Sequence, residues 1–208
     1  MRHLRIGLLG GSFNPAHDGH LHISKLALQR LGLDYVWWLV SPQNPLKPVA
    51  GMASLPERLR SAHAVATRHP RIRVSAIEAR LGTRYTVDTL ALLRRHFPTT
   101  RFVWLMGADN LSQIVRWRRW SRIFHLVVIA VFARGSYVMR ALAGKAAKRF
   151  RRFRVSPGKA SRLASKAPPA WAFLPTPLHK ASATEIRRAR SKGSKQGQAF
   201  NDRGSRRT

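Results

Sequence analysis

Apolar residues fall into short runs at 4–9, interrupted only by Arg5, and continuously at 35–40, 102–106, 126–132 and 171–174, each of strand length and most rich in β-branched or aromatic side chains. Runs without polar interruption suit strands covered on both faces, as in a parallel sheet, and 71–75 alternates as a further short strand. Between the runs the apolar period lengthens to that of helices. One helix is predicted over 20–31, and a second, ending near residue 68, opens on a capping box formed by Ser54 and Glu57, with Pro56 in its first turn. A third spans 87–96, with Thr86 as its cap and Pro98 beyond its end. Asp109 or Asn110 is placed to cap a fourth, which carries Trp117 and Trp120, and 136–150 reads as a basic amphipathic helix. Residues 151–169 read as a linker of Pro, Gly, Ser and cations, and a last helix starts at the capping box Ser182 to Glu185. Strands alternating with helices predict an α/β fold of Rossmann-like, doubly wound type: a mainly parallel sheet with helices on both faces. One domain is expected over 1–190, followed by a basic, disordered tail over 191–208 that has little to bury.

In such a sheet the loops that follow strands gather at the carboxyl edge, where ligands bind. Four of them carry residues with chemistry: 10–20, 41–47, 107–109 and 175–187. The first reads Gly10-Gly11-Ser12-Phe13-Asn14-Pro15-Ala16-His17-Asp18-Gly19-His20. Its glycines let the backbone approach an anion, Ser12 adds a hydroxyl, and the following helix turns unpaired N–H groups and its positive end toward the loop. His17 and His20 share one face if the first helical turn begins near His17. Standing alone, such a pair is more often two surface histidines on a glycine turn. Neither the Walker pattern nor G-x-G-x-x-G fits this loop. Ser182, Thr184 and Arg187 offer a second anion site of hydroxyls, helix-start N–H groups and a guanidinium fork, although Ser182 and Glu185 also suit simple capping.

Charge narrows the ligand class. The 208 residues contain 39 Lys+Arg against 8 Asp+Glu, a formal net charge of +31. That field favours nucleotides, RNA, DNA or acidic lipid without choosing among them. No Asp or Glu lies between Asp109 and Glu185. With so few carboxylates a protein-built Mg²⁺ cage is disfavoured, so magnesium is expected to arrive on a nucleotide. The absence of cysteine excludes disulfides, cysteine metal sites and thiol nucleophiles. No apolar run approaches the ~20 residues of a membrane span and no signal-peptide layout is present, so a cytoplasmic protein is expected.

The string from Gly10 to His20 resembles the signature of the HxGH nucleotidyltransferases, in which loop and histidines bind a nucleoside triphosphate. Within that superfamily, six blocks together resemble the bacterial nicotinate-nucleotide adenylyltransferase family: 10–15, 17–20, 41–47, 84–90, 107–111 and 182–187. The resemblance implies that Gly10, Gly11, Ser12 and Phe13 contact ATP and that His17 and His20 stabilise charge on its phosphates. It implies phosphate contacts for Lys47, Ser182, Thr184 and Arg187, a ribose contact for Asp109, and a place for Gly107 against the nucleoside. Tyr85, Thr86 and Trp117 then form the nicotinate mononucleotide pocket, with the indole stacked on the pyridine ring; core packing is the simpler role, and Trp120 is the candidate for it. Arg134 is followed by Gly135-Ser136 where the family usually has Arg-Pro-Gly, and the basic segment up to residue 170 is long.

The implied reaction is in-line attack of the mononucleotide phosphate on the α-phosphorus of ATP, with pyrophosphate leaving. His17, His20, Lys47 and Arg187 are the expected catalytic residues. Two other readings stay open. Another HxGH transferase, of phosphopantetheine or cytidylyl type, would have no pyridine ring for Trp117 to stack on. A nucleic-acid-binding protein on this fold would suit the charge but would have no need of His17, His20 and Arg187. Non-specific nucleic-acid contact through the basic tail is compatible with an enzyme, and oligomeric state is not legible.

Overall fold

The computed structural model describes residues 3–43, 50–133 and 137–176. Seven strands form one sheet in the order β3-β2-β1-β4-β5-β7-β6. They are β1 (Arg5–Gly11), β2 (Tyr35–Val40), β3 (Ile72–Ser75), β4 (Arg101–Gly107), β5 (Val128–Phe132), β6 (Arg154–Val155) and β7 (Trp171–Leu174). Every pairing is parallel, as the unbroken apolar runs require. β1 lies between β2 and β4, so the winding reverses beside it and the loop after β1 opens into the crevice where such sheets bind ligands.

Alternation along β1 sends Leu9 to one face and Ile6 and Leu8 to the other. The first face is covered by α1 (Asp18–Arg30) and α2 (Leu55–Ala66) through Ala27, Leu28, Ala62 and Ala66. The second is covered by α4 (Thr86–His96), α5 (Ala108–Gln113), α6 (Trp120–Leu126), α7 (Tyr137–Ala143) and α8 (Lys145–Arg149). A single turn, α3 (Ile77–Arg80), joins β3 to the segment before α4. Among the described residues no helix is long and apolar enough to cross a membrane.

Several local expectations are corrected. Residues 136–150 are not one helix: within the described part, α7 and α8 are separated at Gly144, whose Cα hydrogens face the Ala141 carbonyl so closely that a Cβ would sit 3.2 Å from its oxygen. The segment 151–169 is no linker. It forms a turn of 3-10 helix, edge strand β6, and a second 3-10 stretch (Pro157–Ser165) that buries Ala160, Leu163 and Ala164. Trp117 and Trp120 do not share a helix. A 3-10 turn (Ile114–Arg116) follows α5, and Arg119, at φ 47°, breaks the chain before α6. Leu126 ends α6 rather than starting β5, Thr86 is the first residue of α4 with Tyr85 at the cap, and Gly107, not Asp109 or Asn110, caps α5.

Candidate active site

His17 and His20 build the start of α1 between them. His17 Nδ1 accepts the Gly19 N–H at 3.0 Å, and the His17 N–H donates to His20 Nδ1 at 3.2 Å, a capping box made of imidazoles. Because both Nδ1 atoms accept, each neutral ring carries its proton on Nε2 and presents that edge as a donor. The ring centroids are 4.0 Å apart. Phe13 lies against His20 and Trp38, with centroids at 4.6 and 5.1 Å. The Trp38 indole donates to Ser24 Oγ, which donates to the His20 carbonyl, each at 2.8 Å. The pair is therefore held by packing and hydrogen bonds, and the structure brings it together on one helix start.

The end of β1 also forms one wall of a 210 Å³ cleft, through Gly10, Gly11 and Ser12. Gly10 is required there: a Cβ would stand 2.5 Å from Trp104 Cη2. The same cleft is lined by Tyr85 and Thr86 at the start of α4 and by Trp117. Trp117 meets Trp104 edge to face, centroids 6.3 Å apart, so its indole is oriented by a buried neighbour. Arg84, Arg116 and Arg118 add cations, and the Arg118 guanidinium lies 4.8 Å from the Tyr85 ring centre. Trp120 packs instead against Phe124 and Phe150, and it does not line the cleft. Gly107 and Asp109 open α5 at the same sheet edge, Gly107 two residues past the Leu9 to Leu105 pairing of β1 with β4.

Lys47, Ser182, Thr184 and Arg187, like Arg134 and the tail 191–208, lie outside the described residues. Two buried ionisable residues near the cleft are not singled out by the sequence: Arg58, one of two arginines on α2, and Glu78, on the single turn α3. Glu78 is the cleft's one carboxylate among the described lining residues and is 7% exposed. Burial raises its pKa from the ordinary 4.5, partly offset by hydrogen bonds from Ser41 and Thr89. A carboxyl whose folded pKa is raised costs stability as pH climbs from the unfolded value through the folded one, and costs nothing below both. Glu78→Gln is therefore expected to raise the melting temperature by a few degrees at pH 8 and to leave it unchanged near pH 4. Melting curves of both proteins across that range test this; an equal shift at both ends would contradict it.

Residues 8–189 match the cytidylyltransferase-like family, which places the chain in a class of nucleotidyl-transfer folds consistent with the sheet and loop just described. A protein of Parvibaculum lavamentivorans described as "Probable nicotinate-nucleotide adenylyltransferase" is 57% identical over 184 residues, covering 88% of this chain and 91% of its own. One of Gluconacetobacter diazotrophicus with the same description is 55% identical over 188 residues, covering 89% and 86%. The chain belongs to the nicotinate-nucleotide adenylyltransferase family. The fold is also that of the Plasmodium falciparum nicotinic acid mononucleotide adenylyltransferase solved with NaAD, at TM-score 0.67 and 15% identity, covering 89% of this chain and 83% of that one.

Proposed function

We propose that this protein transfers the adenylyl group of ATP to nicotinate mononucleotide, giving deamido-NAD and pyrophosphate, a step of NAD biosynthesis. The observation that carries the reading is the cleft itself. Its lining joins Gly10, Gly11 and Ser12 with Tyr85, Thr86 and Trp117, so a glycine-rich anion loop and an aromatic slot share one space. Relatives more than half identical over most of the chain support the same reaction.

In this reading the triphosphate lies along Gly10 to Phe13 at the start of α1, with Gly107 and Asp109 at the adenosine. The mononucleotide enters beside Tyr85 and Thr86 with its ring on Trp117. Both reactants are phosphates, so no protein nucleophile is needed and catalysis consists of alignment and charge stabilisation. His17 and His20 donate from Nε2 to oxygens that gain charge as the α-phosphorus is attacked. Lys47, Ser182, Thr184 and Arg187 are assigned, by motif, to the remaining phosphate oxygens. Magnesium is assigned to the MgATP substrate, where it would neutralise phosphate charge. The test is pyrophosphate release with ATP and nicotinate mononucleotide. Release that requires both supports the reading, whereas release only with CTP or a phosphopantetheine acceptor would assign the chain a different transfer.

The basic tail is proposed to add non-specific affinity for nucleic acid, separate from turnover. Lys192, Lys195, Arg203, Arg206 and Arg207 lie beyond the last site motif. Deleting 192–208 is expected to leave kcat unchanged and to flatten the salt dependence of RNA binding by up to about 3.5–4.5 units of slope, about 0.7–0.9 per cation. Titration against salt checks this; an unchanged slope removes the tail from binding.

A further inference from the structure

Arg58 is 2% exposed, and the hydrogen bonds of its guanidinium all go to backbone carbonyls. Nε donates to Ala53 O at 2.9 Å. Nη1 donates to Ser12 O at 2.8 Å and to Ser41 O at 2.6 Å, and Nη2 donates to Pro42 O at 2.8 Å. Those four carbonyls belong to three separate segments: the loop after β1, the loop after β2, and the turn into α2. The planar fork with its five donors is what allows one side chain to hold them all; an ammonium has three donors on a single atom. Asn14 makes a parallel tie, its amide donating to Gly51 O at 3.0 Å and its oxygen accepting the Ala53 N–H at 3.3 Å. Burial lowers the guanidinium pKa from its ordinary value, so the contact is one the fold maintains against a desolvation cost.

The grip on Ser12 matters for the next peptide. In a trans peptide the C=O and the following N–H point in opposite directions, so fixing Ser12 O toward α2 aims the Phe13 N–H away from α2. Phe13 itself sits at φ 47°, a region costly for a residue with a bulky side chain and one that persists only when its surroundings over-determine it. Its ring is held by His20 and Trp38, and its leading peptide is held by Arg58.

We propose that Arg58 is a positioning residue of the phosphate site: it fixes the Ser12 to Phe13 peptide that receives the triphosphate and sets the spacing between that loop and the Ser41 to Pro42 turn. This rests on the proposed function, in which ATP occupies the loop. Arg58 lines no part of the cleft, and its four hydrogen bonds go to the loops after β1 and β2 and to the turn into α2, so its effect falls on the nucleotide half.

The test uses the full chain with Arg58→Lys, which keeps the charge and loses the fork, and Arg58→Gln, which keeps two donors and loses the charge. Melting curves are recorded alone, with MgATP and with nicotinate mononucleotide, beside kcat and both KM values. The expected result is cooperative melting in at least Arg58→Lys, a kcat reduced at least tenfold, a loss of the upward melting shift given by MgATP, and a KM for the mononucleotide within twofold of wild type. Turnover within twofold of wild type overturns the proposal. So does an equal rise in both KM values, which would mark general loosening, or failure of both variants to melt cooperatively, which would make Arg58 a folding residue. If wild type shows no turnover, the proposed function fails by itself, and the MgATP shift still decides the role of Arg58.

Discussion

Alanine at His17 or His20 is expected to lower kcat by about 10²- to 10³-fold, the usual effect of removing one donor aimed at charge that develops in a transition state. The two rings are not interchangeable in their structural duties. His17 caps α1 and His20 closes the box, so alanine at either position also removes a cap, worth about 1 kcal/mol. Asparagine is among the best capping residues, so His17→Asn is expected to restore the melting temperature while remaining as slow as His17→Ala. That divergence between stability and turnover distinguishes a catalytic imidazole from a helix cap. Saturating-substrate kcat and thermal melts of the three variants provide the measurement, and near-normal turnover in any folded variant would sink the mechanism.

The second large effect is selectivity for nicotinate mononucleotide over its amide. In the first turn of α4, Asp88 and Thr89 both donate to the Tyr85 carbonyl, and no side chain caps the helix. The first-turn N–H groups of Thr86 and Val87 have no partner within this eleven-residue helix, and Tyr85 and Thr86 bring its positive end to the wall of the cleft that also carries Arg84, Arg116 and Arg118. A carboxylate accepts from such donors with either oxygen. A carboxamide turns one NH₂ toward them and leaves a buried donor facing a donor, at about 1–3 kcal/mol for each mismatch. Since ~1.4 kcal/mol is a factor of ten, at least tenfold discrimination in kcat/KM is expected. Glu78 sets a limit on it, because its carboxylate shares the cleft and disfavours a second negative charge as pH rises through its raised pKa. Comparing kcat/KM for the two mononucleotides at fixed salt and magnesium tests the pocket. Equal values would show that these N–H groups do not meet the ring substituent.

What could be read from residues alone followed from how each element announces itself. β2 and β4 are runs of large apolar side chains, and the loop after β1 combines glycines, a hydroxyl and paired histidines, so both the sheet and the candidate anion loop at its edge were legible. The region 144–166 was misread because its core is built largely of alanine. Ala146, Ala147, Ala160 and Ala164 are buried but give almost no periodic signal among cations, and the larger buried residues Phe150, Val155 and Leu163 are widely spaced. Arg119 adopts a left-handed conformation without being Gly or Asn, so the break between Trp117 and Trp120 had no sequence marker. Arg58 and Glu78 are buried through contacts with segments distant in the chain, Ser12 and Ser41 among them, and such partners become visible only once the strands are in order.

The position of β1 in that order bears on how the chain is made. Synthesis from the amino end completes β1, β2 and β3 well before Arg101–Gly107 exists, yet β1 needs β4 as its second neighbour. Until then its far edge presents unpaired N–H and C=O groups, and Ile6 and Leu8 lack the part of their layer that α5 and the helices after it supply. No local hairpin can close that edge, because a parallel partner must arrive through a crossover. The nascent amino-terminal half is therefore an open-edged, apolar-faced sheet, and the ribosome must release about half of the sequence before the strand that begins the active site is covered on both sides.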